Sequence, residues 1–498
     1  MRLTRPSRTR RQHKNEALYK HNAGAPVNQL TPELVSAILM QALPEGNLLQ
    51  PSITWSRRLK FLLAISAVSG GWRKVALDTA QLWSFLVIDT NMSKAKDTRK
   101  IKIFEEFIAR SKEAVIDVTI IIDWEDKLAR ESRTGRMGGR HLEVSSMLRS
   151  IFEEQSYRCR SFKLIVWNTA LARAFFPLPA PMPALTHVAV YTIMDWTTDR
   201  SNRHGAISLF PKGMECHLTA MTISAYPLPN IENIDFFRID TLMLDTSYWQ
   251  SEDYLKMLSL FPSLQTLEVR GNPRWPWGPL LPITMPNVTK IKLECNVDMM
   301  LLDFITVPRL QHLSLTHFLT PESRFGSLRT LCIDTESSKL GQGIVPMMDF
   351  VCFHTHLVAI HISVGRGTCL YALERLHGQT SITRDPPVGL PCPSMELLRI
   401  SPSRHHMLEL WFSAEDRIAD GLRPLLTQRP QLAVELDLQV PYHLKNPKLF
   451  NPPSQSWVGE LVAEFGTRVS ALEGIRERVL GEDNPLTPLS ELFPLSDD

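Results

Sequence analysis

A short apolar frame recurs along most of this chain and limits its fold more than any other feature. One apolar residue is followed three positions later by a second, and two positions after that by a third. The copies are Leu185-Val188-Val190, Leu218-Met221-Ile223, Ile239-Leu242-Leu244, Leu264-Leu267-Val269, Val288-Ile291-Leu293, Leu310-Leu313-Leu315, Leu328-Leu331-Ile333, Leu357-Ile360-Ile362 and Met395-Leu398-Ile400. Leu432, Leu436 and Leu438 form a looser copy. The alternation at the end of each copy is that of a short strand with one buried face. Such a strand buries too little to stand alone, so copies must stack into a parallel sheet with a shared core, an α/β solenoid. Pro183, Pro262, Pro286 and Pro308 precede copies. They fit turns into the strands, since proline cannot hold a central ladder position.

From Val269 to Leu293, Leu315 and Ile333 the step is about 18 to 25 residues, close to the leucine-rich-repeat period. The pattern resembles an irregular leucine-rich repeat, because the asparagine of many such repeats occurs only as Asn168, Asn272 and Asn296. An ordinary α/β domain with similar strands is the alternative. Upstream, Phe104, Phe107 and Ile108 predict a helical face and Val115 to Ile122 a strand. Leu142 to Phe152 predicts a helix, Phe162 to Val166 a strand, and the polar stretch Glu125 to Arg140 an excursion loop. Downstream, Trp457, Leu461, Phe465, Val469, Leu472, Ile475 and Val479 step by three or four. They predict one apolar helix, capped by Ser454 or Ser456 and stopped at Gly481, that covers the end of the sheet.

The segment before the repeats has a different period. Pro32 suits a first helical turn, Thr31 can cap it, and Glu33 favours the positive helix end. Leu34, Ile38 and Leu39 then share a face. A polar loop through Gly46 and Pro51 leads to Leu59 to Val68, which is apolar on most faces and predicts a buried helix. Gly70-Gly71 is expected to weaken or end it, and Trp72 opens a short segment reaching Leu82-Trp83.

This order resembles an F-box, the helical module that docks a Skp-type adaptor in a cullin–RING ubiquitin ligase. Leu30, Pro32, Glu33, Leu34, Ile38, Val68, Trp72, Arg73, Leu82 and Trp83 match the family pattern. Thr31 departs from it by replacing a proline, Ser69 a cysteine, and Gly70-Gly71 a pair of basic residues. The wider sequence is similar to the F-box-like proteins expanded in mushroom-forming fungi. The resemblance implies an adaptor that holds a Skp-type protein through Leu30, Pro32, Leu34, Ile38 and Trp72. It also implies a protein substrate presented by the repeats, with no catalytic group or cofactor in this chain. A leucine-rich-repeat scaffold with no ubiquitin role is the second reading.

Composition narrows the remaining classes. A net charge of +3 over 498 residues is too small to argue for nucleic acid. The seven cysteines, at 159, 216, 295, 332, 352, 369 and 392, are odd in number and lack CxxC spacing. Reduced thiols therefore fit better than a disulfide framework. Arg2, Arg5, Arg8, Arg10, Arg11 and Lys14 form a basic arm that reads as a solvated tail or a nuclear import signal. With neither an apolar leader nor a span of about 18 apolar residues, the expected location is cytoplasmic or nuclear. No membrane contact is expected.

No Walker A loop, GxSxG elbow, HExxH helix or dinucleotide fingerprint occurs in the sequence. Cys352, His354 and His356 alternate without a second ligand pair, so a structural role fits them better than zinc. His405-His406 has no partner in the sequence, and Glu415-Asp416 reads as a helix start. The strongest recognition candidate is the segment from Arg270 to Gly278, where Arg270, Arg274, Trp275 and Trp277 are of types enriched in binding hot spots. The same tryptophans could instead pack over the repeat core. The expected organisation is a basic arm (1–27), the helical module (28–90), the repeats (91–440), and a capping helix with a flexible tail (441–498).

Overall fold

The computed structural model describes residues 26–44, 51–89, 97–122, 153–166, 181–192, 217–224, 238–245, 251–271, 282–294, 299–315, 325–334, 344–364, 366–377, 392–402, 415–437, 440–441, 456–472 and 475–476. The expected helix 142–152, the excursion loop, His405-His406, Leu438, the basic arm and the flexible tail lie outside these residues. The chain forms two compact units, the first comprising Met1–His217 with Pro229–Ile234 and the second Leu218–Leu228 with Asp235–Asp498. No described helix is long and apolar enough to cross a membrane.

The first unit opens with helices α1 (Pro32–Gln41), α2 (Pro51–Val68) and α3 (Gly70–Asp78). Thr31 Oγ1 accepts the Leu34 N–H at 3.5 Å and Pro32 occupies the first turn, the start that its sequence predicts. As the glycine pair predicts, α2 ends at Val68 just before it, but a new helix starts there as well. Ser69 ends α2 and caps α3, its Oγ accepting the Trp72 N–H at 3.2 Å. Gly70 and Gly71 therefore open a new helix rather than simply closing the old one. A strong cap supplies what the glycines lack, and the first N–H groups of a helix have no intrahelical partner in any case. Helix α2 is also less enclosed than its composition predicts. Leu62 and Ile65 are buried, whereas Leu63 is 64% and Val68 47% exposed.

The 3-10 turn Ala80–Trp83 carries this module into strand β1 (Phe85–Asp89). Trp83 is buried there. Its Nε1 donates to the Ala76 carbonyl at 2.8 Å, and its ring meets Phe107 edge-on at 4.9 Å. Phe107 lies on helix α4 (Asp97–Ser111), which with Phe104 buries the face its spacing predicts. Strands β2 (Ile116–Ile122), β3 (Cys159–Val166) and β4 (His187–Thr192) follow, each parallel to its predecessor.

The second unit continues with β5 (Ala220–Ser224), β6 (Thr241–Asp245), α5 (Ser251–Leu258), β7 (Thr266–Arg270), β8 (Ile283–Thr284), β9 (Lys290–Glu294), α6 (Met299–Phe304), β10 (Ile305–Thr306), β11 (His312–Leu315) and β12 (Thr330–Asp334). After these come α7 (Ile344–Phe353), β13 (Ala359–Val364), α8 (Arg366–Leu376), β14 (Leu397–Pro402), α9 (Glu415–Gln428), β15 (Ala433–Asp437), β16 (Val440–Pro441), α10 (Ser456–Phe465), β17 (Val469–Leu472) and β18 (Ile475–Arg476). Ten of these strands lie side by side in the order β5-β6-β7-β9-β11-β12-β13-β14-β15-β17. Short pairs β8–β10 and β16–β18 stand apart from that ladder. The protein is thus mixed α/β, built on parallel strands in both units.

The apolar frame sets the register. Leu242, Leu267, Ile291, Leu313, Leu331, Ile360 and Leu398 stand opposite one another strand by strand, and the row continues into Val434. All are essentially removed from solvent. Where the preceding turn is described, the first residue of a copy closes it tightly. Leu264 N–H reaches the Phe261 carbonyl, Leu310 that of Val307, Leu328 that of Phe325, Leu357 that of His354, and Met395 that of Cys392. The loose copy is one residue shorter between its first two apolar positions. It buries the expected Leu432 and Leu436, with Val434 between them in the register row.

The C-terminal expectation is corrected. Helix α10 stops at Phe465, and Val469–Leu472 is not helical but a strand beside β15. Gly466 sits at φ +62°, a left-handed conformation that side-chain-bearing residues adopt at a cost. Apolar residues four apart at 465 and 469 fit either side of such a break as readily as one continuous helix. The chain therefore ends its described part with another helix-and-strand unit, not a long capping helix.

Candidate protein-recognition surfaces

Each unit carries one candidate surface for protein contact. In the first, α1 packs Val35 and Leu39 inward, both at most 3% exposed. Residues on the other side of the same helix point away: Leu34 is 53%, Ile38 44% and Met40 40% exposed. The fastening is local. Thr79 Oγ1 donates to Ser36 Oγ at 3.1 Å, tying the end of α3 to α1. Of the five residues singled out for docking, Pro32, Leu34 and Ile38 are exposed, while Leu30 and Trp72 are half-buried. Leu39, expected on the face of Leu34 and Ile38, instead belongs to the core. The Trp72 indole Nε1 is shielded and makes no hydrogen bond. A Cβ on Gly70 would meet nothing within 4 Å, and one on Gly71 only Ser69 Oγ at 3.8 Å. The glycine pair is therefore not demanded by crowding.

In the same unit, Leu59, Leu62, Leu63, Leu77, Ile103 and Phe107 line a groove of about 470 Å³. Arg73, Lys102, Glu106 and Arg110 rim it. Arg110 lies over the Trp83 ring at 4.4 Å and pairs with Glu106 at 2.6 Å. The groove is apolar at its floor and charged at its edge, as contact patches commonly are.

In the second unit, the residue between the second and third apolar positions of each copy faces away from the core. Register joins these residues into one row: Thr222, Met243, Glu268, Lys292, Ser314, Cys332, His361, Arg399, Glu435 and Ser470. At its left part, Glu268 stands opposite Lys292 and Arg270 opposite Glu294. Arg270 reaches Glu268 at 2.8 Å and Glu294 at 3.0 Å. Lys292 reaches Glu268 at 3.3 Å and also pairs with Glu294. Burial pushes the Lys292 ammonium down, but the carboxylates of Glu268 and Glu294 outweigh it and hold its pKa above the ordinary lysine range. At its right part the row is more enclosed. Arg399, 4% exposed, pairs with Glu435, its Nε donating to Oε2 at 2.7 Å. Between them, Cys332 Sγ lies 3.3 Å from His361 Nδ1, and His361 Nε2 lies 3.0 Å from Ser401 Oγ.

Arg270, chosen from sequence as a binding residue, is thus already engaged by two carboxylates. Arg274, Trp275 and Trp277 lie outside the described residues. The polar row itself is missed by motif reading, because its members are variable positions of the frame. Reading that one position down the copies is the signal that would expose it. His354 serves structure: its Nε2 accepts the Phe325 N–H at 3.0 Å and its Nδ1 lies 2.8 Å from the Phe350 carbonyl. Among the described residues, no three His, Cys, Asp or Glu side chains gather so as to hold a metal ion. No protein-family model matches this sequence, and no curated protein is significantly similar to it.

Proposed function

We propose that this chain is a substrate-recruiting adaptor of a cullin–RING, SCF-type ubiquitin ligase. In this reading α1 to α3 form an F-box-like module that docks a Skp-type adaptor. The parallel strands form an irregular leucine-rich-repeat solenoid whose polar row meets a protein substrate. The observation that carries the reading is the two-sidedness of α1: Leu34 and Ile38, positions of the F-box pattern, are exposed apolar side chains on a helix whose Val35 and Leu39 are buried. Exposed leucine and isoleucine one turn apart need a partner to cover them more than a solenoid cap would. Exposed Leu63 and Val68 on α2 extend the apolar surface of the module.

The mechanism is proximity. A ligase that carries an activated ubiquitin gains rate when its substrate lysine is held nearby, and this chain raises effective concentration without supplying a catalytic group. Co-purification with a Skp-type adaptor tests it. Capture by wild type, and loss of capture by Leu34→Asp/Ile38→Asp with unchanged thermal unfolding, is the expected result. Absence of capture by wild type, under conditions that retain an established F-box protein, would turn the reading to a scaffold without a ubiquitin role.

A further inference from the structure

Within the polar row, Cys332 and His361, with Ser401 beside them, carry chemistry of their own. Cys332 is half-buried on β12, and His361 on β13 stands directly opposite it. The imidazole bridges the two neighbours, with Nδ1 3.3 Å from Cys332 Sγ and Nε2 3.0 Å from Ser401 Oγ. When the serine oxygen accepts the Nε2 proton, Nδ1 is left as the basic nitrogen, and it faces the thiol. A thiol becomes a nucleophile when an adjacent base takes its proton. Diagonally across, on β11, His312 has a buried Nε2 with no hydrogen-bond partner.

We propose that Cys332 is a nucleophilic thiol that undergoes thiol–disulfide exchange with small disulfides of the glutathione type, with His361 as its base. The Sγ proton passes to His361 Nδ1. The thiolate attacks one sulfur of the disulfide, a new S–S bond forms at Sγ, and the original S–S bond breaks. The departing thiolate takes the proton back from the imidazolium, so no further oxidant or reductant is needed. The other thiols among the described residues give the contrast. Burial pushes those of Cys159, Cys369 and Cys392 up to about 12, whereas Cys352 is as half-buried as Cys332.

The test is timed labelling of the native full chain with dipyridyl disulfide and with glutathione disulfide, read by peptide mass mapping. Cys332 is expected to react first, and His361→Asn to slow it by about 100-fold, the scale of a lost general base. Ser401→Ala is expected to slow it less, and Cys332→Ser to remove the fast site. Labelling of Cys332 no faster than Cys352 would overturn the proposal, as would a folded His361→Asn chain that labels Cys332 at the wild-type rate. Should His361→Asn fail to fold, an unchanged rate in Ser401→Ala would overturn it in the same way.

Discussion

Arg429 hands its guanidinium to the carbonyl of Cys392, the residue at the same place in the preceding repeat. The Nη1 donates at 2.5 Å, while Nη2 donates to the Leu376 carbonyl at 3.1 Å. The device recurs one repeat on, where Arg468 Nη2 donates to the Arg429 carbonyl at 2.6 Å. It appears in the first unit as well, where Arg158 Nη1 donates to the Ala114 carbonyl at 2.9 Å. In each case an arginine at the turn before a strand supplies donors to turn or helix-end carbonyls of the preceding segment. Cys392 itself sits at φ 48°, a left-handed backbone that residues with a side chain adopt at a cost.

Arg429→Met keeps much of the apolar stem and removes the donors. Arg429 is 1% exposed, and burial pushes its pKa below the ordinary guanidinium value. The Leu376 carbonyl would lose this donor, and that of Cys392 would keep only the Met395 N–H, at a cost of about 1–3 kcal/mol. The expected outcome is a lower midpoint in urea unfolding, corresponding to about 1–3 kcal/mol. A midpoint equal to wild type would mean that the turn carbonyls find other donors.

The two sides of α1 separate docking from folding. Leu34→Asp and Ile38→Asp alter exposed residues and are expected to shift stability by no more than about 0.5 kcal/mol. Leu39→Ala, by contrast, truncates a side chain only 1% exposed, and is expected to cost about 2–5 kcal/mol. Thermal unfolding of the three variants checks this. Similar losses in all three would mean that the exposed face is covered within the folded chain.

The apolar frame is legible in the sequence because each inward residue is locally obliged to be apolar. What lies between those residues is not. Cys332 and His361 are 29 positions apart, and only the register of β12 against β13 brings them together. His354 and Arg429 hold the turn position that Phe261, Met285 and Phe325 fill elsewhere, so a polar residue there looks like a surface residue until the turn is seen closed. The break at Gly466 is hidden for a related reason. Residues four apart keep a helical period whether or not a left-handed glycine lies between them. In the module, the helix-breaking signal of Gly70-Gly71 does mark the end of α2, but it hides the new helix that Ser69 caps through the same glycines.

The four charges on β7 and β9 are expected to act as a unit. Glu268→Lys places a third cation beside Arg270 and Lys292, and Lys292→Glu makes the opposite error. Combining the two restores one opposed pair, so a double-mutant cycle is expected to show coupling of about 1 kcal/mol. The pH dependence has a definite sign. The Lys292 pKa is raised in the folded chain, so its contribution is complete below the unfolded lysine value and is lost as pH rises through the folded value. Unfolding midpoints across the alkaline range check this, and a wild-type slope no steeper than that of Lys292→Met would refute it.

His312 sets the acid side. It is 8% exposed, and its Nδ1 meets the Thr330 hydroxyl. Burial, followed by the charges of Lys290 and Arg329, pushes its pKa down to about 4. In the unfolded chain the same imidazole titrates near about 6.5. The unfolded state therefore binds the proton first as pH falls. Stability is full above about pH 6.5 and is lost progressively as pH drops toward the folded value, by about 3 kcal/mol in all. His312→Asn keeps a polar group beside Thr330 and cannot titrate in this window. The wild-type chain is expected to lose more unfolding free energy between pH 7 and pH 4.5 than the variant does. Equal losses in the two chains would assign the acid sensitivity to other groups.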